Sequence, residues 1–269
     1  MILLQNMKHD FVEGILEKIK LYIGIIVLAL AGNFKLIYLC GIADGNKDNL
    51  SMQDFLFYIL KGSEVIDIKK NPFDFPYIFM TFYILIAFII GDYVERDLKK
   101  SGINYLIRMN NRTKWIVSKF VWCACTVTIS FICIIITSII FSLIFGGNIL
   151  LKTEFSVLLG LNMSYKNAYL IIELVLLAYV TELAISIFQV TISVLTDSII
   201  SLITVVGLWV LSVYMVNPLV LNSYCFLQRT NVFVNGFISL KTGFVFDIII
   251  IIICISTGIF YFKRKDILV

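Results

Sequence analysis

Four polar residues share one face of a strongly apolar segment in the second half of the chain. Glu182, Ser186, Gln189 and Ser193 follow one another at intervals of four, three and four residues, which places them on one side of a helix. A carboxyl group near the middle of an apolar helix needs a polar partner, a proton or water. Glu182 is therefore a candidate proton or ion site. The stripe as a whole is suited either to line a substrate pathway or to bond a neighbouring helix.

A second stripe of small polar residues lies in an earlier apolar segment. Thr126, Ser130, Cys133 and Thr137 follow a similar helical spacing and share one helix face. Hydroxyl groups at such positions either make hydrogen bonds between helices or line a polar route through a membrane. Both interpretations stay open for this stripe, as they do for the first.

The motifs of several well-known catalytic sites are absent from the sequence. No G-x-x-x-x-G-K-[ST] sequence provides a phosphate loop for ATP, and the G-x-S-x-G and H-E-x-x-H motifs are missing. The single histidine, His9, lies near the N-terminus, which excludes a histidine-based metal site or a Ser-His pair inside a membrane. The six cysteines form no C-x-x-C pair and are interpreted as packing residues. The sequence predicts that this chain is not an enzyme and holds no metal or cofactor.

The composition places the polar stripes in a membrane. Of the 269 residues, 60% are hydrophobic and 15% are charged, against about 25% charged in an average soluble protein. The mean hydropathy of +0.96 indicates more apolar surface than a soluble fold of this length can bury. The net charge of +4 is small and dispersed, which argues against a nucleic-acid partner. The lipid bilayer is the expected environment.

Six apolar runs are long enough to cross about 30 Å of hydrocarbon. The first is interpreted as an uncleaved span, because its apolar sequence continues past Ala29-Leu30-Ala31, which resembles a signal-peptide cleavage site. The predicted fold class is an all-α integral membrane protein with a single transmembrane domain over 21–269, preceded by an interfacial segment 1–20. The spans are about 21–40, 76–91, 120–145, 169–195, 199–216 and 244–262.

Basic residues predict the side of the membrane on which each loop lies. They concentrate in the N-terminal segment, in the loop between spans two and three, and in the C-terminal tail. Both termini are therefore predicted to be cytoplasmic. The residues concerned are Lys8, Lys18, Lys20, Arg96, Lys99, Lys100, Arg108, Arg112, Lys114, Lys119, Lys263, Arg264 and Lys265.

The segment 10–20, before the first span, has the pattern of an amphipathic interfacial helix. An ordinary extension of the first span is the alternative. The apolar face consists of Phe11, Val12, Ile15, Leu16 and Ile19, and the polar face of Asp10, Glu13, Glu17 and Lys18. A further amphipathic helix is predicted over Met52–Leu60, and the segment 217–241 is apolar enough to re-enter the membrane edge.

The loop 92–119 combines many charges with a short apolar stretch. Ile103–Met109 is predicted to be a short helix, since Gly102 precedes it and Asn110-Asn111 forms a turn after it. An apolar helix inside a charged loop needs a partner surface to bury it. A solvated basic loop is the alternative.

These features together resemble the transmembrane permease subunit of type-2 ABC exporters. The shared features are six spans with inside termini, an amphipathic N-terminal helix, a loop helix after span two and a broken segment before span six. A motif of about 25 residues is similar to that family's acidic-Gly-hydrophobic-Arg-Lys pattern, although Asn110 stands where the family usually has proline. The matching residues are Glu95-Arg96-Asp97, Gly102, Tyr105-Leu106-Ile107-Arg108 and Arg112-x-x-Trp115-x-x-x-Lys119.

The resemblance implies a permease subunit paired with a second permease subunit, identical or homologous, and with separate ABC ATPase subunits that hold ATP and Mg²⁺. A cytoplasmic coupling helix would contact the ATPase through Tyr105, Leu106, Ile107, Arg108 and Arg112. The expected location is a bacterial plasma membrane. The expected role is export of an antimicrobial peptide, drug or lipid-like molecule, as in bacteriocin export or self-immunity. The alternative is a six-span secondary transporter that uses Glu182 as its ion or proton site, and a third possibility is a membrane anchor or sensor.

Overall fold

The computed structural model describes residues 2–42, 50–63, 75–99, 112–145, 170–233 and 238–264, and this part of the chain is helical. The α-helices are α1 (Ile2–Phe11), α2 (Ile19–Ile42), α3 (Met52–Leu60), α4 (Tyr77–Gly91), α5 (Tyr93–Asp97), α6 (Arg112–Ile144), α7 (Leu170–Leu195), α8 (Ser198–Tyr214) and α9 (Leu240–Arg264). A π-helical segment, Val12–Leu16, follows α1, and two 3-10 turns, Leu221–Cys225 and Leu227–Arg229, lie between α8 and α9.

Five of these helical segments are long and apolar enough to cross a membrane, so the chain is a multi-pass membrane protein of the all-α class. They are α2, α4 together with α5, α6, α7 and α9. The remaining predicted span, 199–216, corresponds to α8, which is apolar but has only 17 residues. It ends at Tyr214, shortly before Asn217-Pro218, where proline restricts the preceding residue to extended conformations.

The five long segments and the shorter helix α8 form a bundle with three central and three peripheral members. The central helices α4, α6 and α7 all contact one another. Each peripheral helix packs against two of them: α2 against α4 and α6, α8 against α4 and α7, and α9 against α6 and α7. Aromatic contacts join the central and peripheral helices. For example, the ring of Tyr83 on α4 stacks on that of Trp209 on α8, with a centroid distance of 4.3 Å.

One end of the bundle is closed by α3 and the 3-10 turns, and we call it the capped end. The helix α3 has the bounds predicted from the sequence, but the residues on its polar face are also buried, because α2, α6 and α7 surround it. The Asp54 side chain turns back toward the N-terminus of α3, where its carboxylate accepts hydrogen bonds from Ser51 N and Ser51 Oγ, both at 2.7 Å. After α3 the chain turns at Gly62, whose φ of +74° favours glycine.

The opposite end of the bundle carries α1, α5 and the beginning of α6, and we call it the charged end. The predicted interfacial helix over 10–20 differs in outline from the structure: α1 starts at Ile2, the π-helical segment covers Val12–Leu16, and α2 already begins at Ile19. Phe11, Val12 and Leu16 stay about half exposed, so the described protein leaves much of the predicted apolar face uncovered. The helix α6 begins at Arg112, eight residues before the predicted span 120–145.

Candidate functional site

A buried ion network joins three helices at the charged end. Lys119 of α6 contacts the carboxylates of Asp10 on α1 and Asp97 on α5, and all three residues are almost fully buried. The Lys119 Nζ to Asp97 Oδ2 distance is 2.6 Å. Two aromatic residues donate to the same carboxylates: Tyr93 OH to Asp10 Oδ1 at 2.8 Å, and Trp115 Nε1 to Asp97 Oδ2 at 3.1 Å. We call these five residues the ion network.

The helical frame explains why the network forms at this point. Trp115 and Lys119 are four residues apart on α6, so their side chains lie on one face, and Tyr93 and Asp97 have the same spacing on α5. The Lys119 ammonium lies 4.8 Å from the ring centroid of Tyr93 and 4.9 Å from that of Trp115. Such cation–π contacts and hydrogen bonds compensate for part of the cost of removing three charges from water.

The segment between α1 and α2 is fastened to the end of α4 by a second set of charges. Lys18 donates to Ile89 O at 2.8 Å and forms an ion pair with Asp92. Burial lowers the pKa of the Lys18 ammonium, although the carboxylate of Asp92 opposes the shift. Arg96 Nη2 lies 3.3 Å from Glu17 Oε2. The N-terminal segment is thus tied to the α4–α5 junction at two further points.

Close backbone packing also holds the N-terminal segment against α6. Gly14 is buried in the π-helical segment, and a Cβ atom at this position would overlap the indole ring of Trp122. Only glycine allows the segment to lie this close to α6. A π-helical segment of this kind is common at functional positions.

Most of the predicted coupling residues, Tyr105, Leu106, Ile107 and Arg108, lie outside the described part of the chain. Arg112 is described, at the first position of α6, and its Nη1 donates to Lys263 O at 3.2 Å, which links the start of α6 to the end of α9. Two residues of the ion network enclose the stretch 100–111 in the sequence: Asp97 lies before it and Lys119 lies after it.

The first polar stripe lies inside the bundle. Glu182, Ser186 and Gln189 are each 1% exposed. Ser186 Oγ donates to Glu182 Oε1 at 3.3 Å, and Gln189 Nε2 donates to Ala87 O of α4 at 2.9 Å. Glu182 Oε2 accepts no hydrogen bond from the residues that the structure describes. Gln189 therefore connects two central helices, whereas the Glu182 carboxyl has only one weak partner in the described structure.

Three residues of the second polar stripe, Thr126, Ser130 and Thr137, are buried, and Cys133 is partly buried. Ser130 Oγ donates to Thr126 O at 2.9 Å, within its own helix, and Thr137 Oγ1 donates to Ile134 O at 2.9 Å. Both Thr126 and Ser130 have no exposed surface. Small hydroxyl residues that bond their own helix permit close helix packing.

Two charged groups that the sequence did not single out as site residues also lie inside the protein. Arg229 is completely buried at the capped end, where it donates to Ser63 O, Ser63 Oγ and Val213 O at 3.0, 2.9 and 2.8 Å, and also to Ser212 O. Asp247 of α9 is buried and accepts from Thr181 Oγ1 of α7 at 2.6 Å. Neither is marked by a sequence motif, because their partners are backbone carbonyls or a hydroxyl group far along the chain.

The described residues therefore indicate a multi-pass membrane protein in which a buried ion network joins α1, α5 and the first part of α6. A family model, described as a protein of unknown function (DUF2705), matches residues 23–268. The match covers most of the chain, so the chain belongs to this family. Neither the curated proteins nor the solved structures include a significant match.

Proposed function

We propose that the chain is the permease subunit of an ATP-driven ABC exporter in a bacterial plasma membrane, with both termini in the cytoplasm. The observation that carries the proposal is the ion network, which flanks the predicted coupling segment. Asp97 and Lys119 stand on either side of this segment, and they form a buried ion pair with each other.

This pairing supports a mechanical role for the segment. A force applied to residues 100–111 would pass into α5 and α6 together, because separating a buried ion pair leaves each charge uncompensated away from water. Through Asp10, the same force also reaches α1. Two of the segments long enough to span the membrane are α4 together with α5, and α6. A partner that moves residues 100–111 would therefore move helices of the bundle itself.

The energy for transport comes, on this proposal, from another chain. The sequence has no phosphate loop, and an exporter of this kind uses a separate ABC ATPase that holds ATP and Mg²⁺. Tyr105, Leu106 and Ile107 supply the apolar contact with that ATPase, and Arg108 and Arg112 supply charges at its edge. Two permease subunits, identical or homologous, form the pathway between them, and the substrate is an antimicrobial peptide, drug or lipid-like molecule.

Co-purification tests the proposal directly. The tagged chain, expressed with the ABC ATPase of its own gene neighbourhood, is expected to retain that ATPase in detergent. Leu106→Asp is expected to release the ATPase and abolish ATP-driven export without preventing membrane insertion. Leu219→Asp is the matched control, because Leu219 is 78% exposed in the turn after α8, at the capped end. Equal ATPase retention and equal export by the two variants would refute the proposal.

A secondary transporter remains the second candidate, and the surroundings of Glu182 favour it. This carboxyl lies inside the bundle beside Ser186 and has an oxygen without a partner among the described residues. A buried carboxyl with so few partners is suited to gain and lose a proton. Transport that continues without ATP but requires a proton gradient would support this candidate.

A further inference from the structure

A small cluster beside the ion network brings one imidazole and two carboxylates together. His9 Nε2 lies 3.2 Å from Asp97 Oδ1, and His9 Nδ1 lies 3.4 Å from Glu13 Oε1. Both nitrogens of the imidazole therefore face carboxylates, whereas a neutral imidazole has only one N–H to donate. The carboxylate of Asp97 also contacts the Lys119 ammonium, so the cluster adjoins the ion network.

The two oxygens of Asp97 have different surroundings. Oδ2 accepts from Lys119 Nζ and Trp115 Nε1, which satisfy it within the ion network. Oδ1 points instead to His9. Oδ1 is thus the Asp97 oxygen that lies next to His9, on the opposite side of the carboxylate from its bond to Lys119.

The geometry of His9, Glu13 and Asp97 fits a metal ion. Each offers one ligand atom, and the three atoms lie within 4.8 Å of one another. Zinc binds nitrogen and oxygen ligands at about 2.0–2.1 Å in a tetrahedron, which separates neighbouring ligand atoms by about 3.3 Å. The observed distance of 3.2 Å between His9 Nε2 and Asp97 Oδ1 is close to this value.

The position of the cluster also allows a metal to enter. His9 and Glu13 are four residues apart and project from the same side of the N-terminal segment. Their side chains are 18% and 40% exposed, which leaves room for a water ligand. Asp97 comes from α5 and is buried. Ligands from two segments and an open fourth position are typical of a three-residue zinc site.

We propose that His9, Glu13 and Asp97 bind one divalent transition-metal ion of the Zn²⁺ class. An imidazole with two carboxylates selects such ions over Ca²⁺ and Mg²⁺, which prefer oxygen ligands alone. The bound ion links the N-terminal segment to α5. The proposal concerns metal binding alone and does not depend on the proposed export function.

Metal titration of the purified full-length chain in detergent tests the site. After dialysis against a chelator, Zn²⁺ added in the calorimeter is expected to bind with one tight equivalent per chain. His9→Ala and Glu13→Gln are each expected to weaken this binding more than about tenfold. Glu17→Gln is the matched control, because Glu17 lies one helical turn beyond Glu13, pairs with Arg96 and is 56% exposed.

Two further measurements keep the result unambiguous. The helix content of each metal-free variant must equal that of the wild type, and Glu13→Gln serves if His9→Ala fails to fold. Substitution by Co²⁺ is expected to give the visible absorption of nitrogen and oxygen ligands, without the intense near-ultraviolet bands of thiolate. Thiolate bands would assign the metal to cysteine. That result, the absence of a stoichiometric equivalent, or equal binding by wild type and both variants would overturn the proposal.

Discussion

Lys119 Nζ of α6 lies 2.6 Å from Asp97 Oδ2 of α5, and both side chains are only 1% exposed. The same ammonium contacts Asp10 on α1, so one side chain fixes three segments of the charged end. A charge in such a place is stable only while its partners are present, because an isolated buried ion has lost its hydration without compensation. This dependence makes Lys119 the residue whose replacement should disturb the charged end most.

Lys119→Met is expected to destabilise the protein by about 3–5 kcal/mol, because it leaves two buried carboxylates without their cation. Thermal unfolding in detergent, followed by helix content, measures the effect. Lys99→Met serves as the control, since the Lys99 side chain is 73% exposed and pairs with Glu95 at the surface; little change is expected there. A melting temperature equally low in both variants would contradict a special role for the ion network.

Asp54 at the capped end gives a prediction about pH. Burial raises the pKa of this carboxyl to about 6, although its hydrogen bonds from Ser51 act in the opposite direction. An unfolded aspartate has a pKa of about 3.9, so the folded state binds the proton more tightly. The contribution of Asp54 to stability is therefore fully present below about pH 4 and is lost as the pH rises through 6.

The variant Asp54→Asn should make this contribution visible, since asparagine stays neutral and can still accept a hydrogen bond from the backbone of Ser51. We expect the wild type and the variant to unfold at similar temperatures at pH 4.5. At pH 8 the wild type should be the less stable of the two, by roughly 2–3 kcal/mol for a shift of about two pKa units. A stability difference between them that does not change with pH would show that the Asp54 carboxyl is not desolvated.

Arg229 is expected to hold the capped end closed. Burial lowers the pKa of its guanidinium to about 10, so the group stays charged at neutral pH. It is held by backbone carbonyls of Ser212, Val213 and Ser63, and lysine at this position cannot reach all of them as a planar fork. Each buried acceptor left unpaired costs about 1–3 kcal/mol. Arg229→Lys should therefore loosen the two 3-10 turns, which close the capped end together with α3.

Thiol labelling measures this loosening. Cys225 is fully buried in the first 3-10 turn, whereas Cys125 on α6 is exposed and serves as an internal reference. Maleimide labelling, quantified on the two peptides by mass spectrometry, should become faster at Cys225 in Arg229→Lys and stay unchanged at Cys125. Unaltered protection of Cys225 would mean that the cap does not depend on the guanidinium.

Five helical segments long enough to span a membrane could be predicted from the sequence because each contains a long apolar run. The helix α6 extends eight residues before the predicted span 120–145, and Trp115 and Lys119 in this extension are buried although the sequence around them has the composition of a charged loop. Trp115 and Lys119 are buried because they contact Asp97 and, for Lys119, Asp10, which lie far away in the sequence. Pairs that are so far apart leave no periodic signal in a single sequence. Arg229 gives no sequence signal for a similar reason: apart from the hydroxyl group of Ser63, its partners are backbone carbonyls, which every sequence has.

Glu182 separates the two proposed functions. Its carboxyl is buried in α7, where Ser186 Oγ donates to Oε1 at 3.3 Å. The change Glu182→Gln keeps the shape and this hydrogen bond but removes the ability to carry a proton. For an ATP-driven exporter in which Glu182 only anchors helices, the variant should assemble and export as the wild type does. For a secondary transporter, it should fold but lose proton-coupled transport.

Glu173→Gln is the matched control, because Glu173 is exposed near the start of the same helix. Proteoliposome transport with ATP or with an imposed proton gradient distinguishes the two. Full ATP-driven export by Glu182→Gln would eliminate the secondary transporter, and selective loss of gradient-driven transport would eliminate the anchor role.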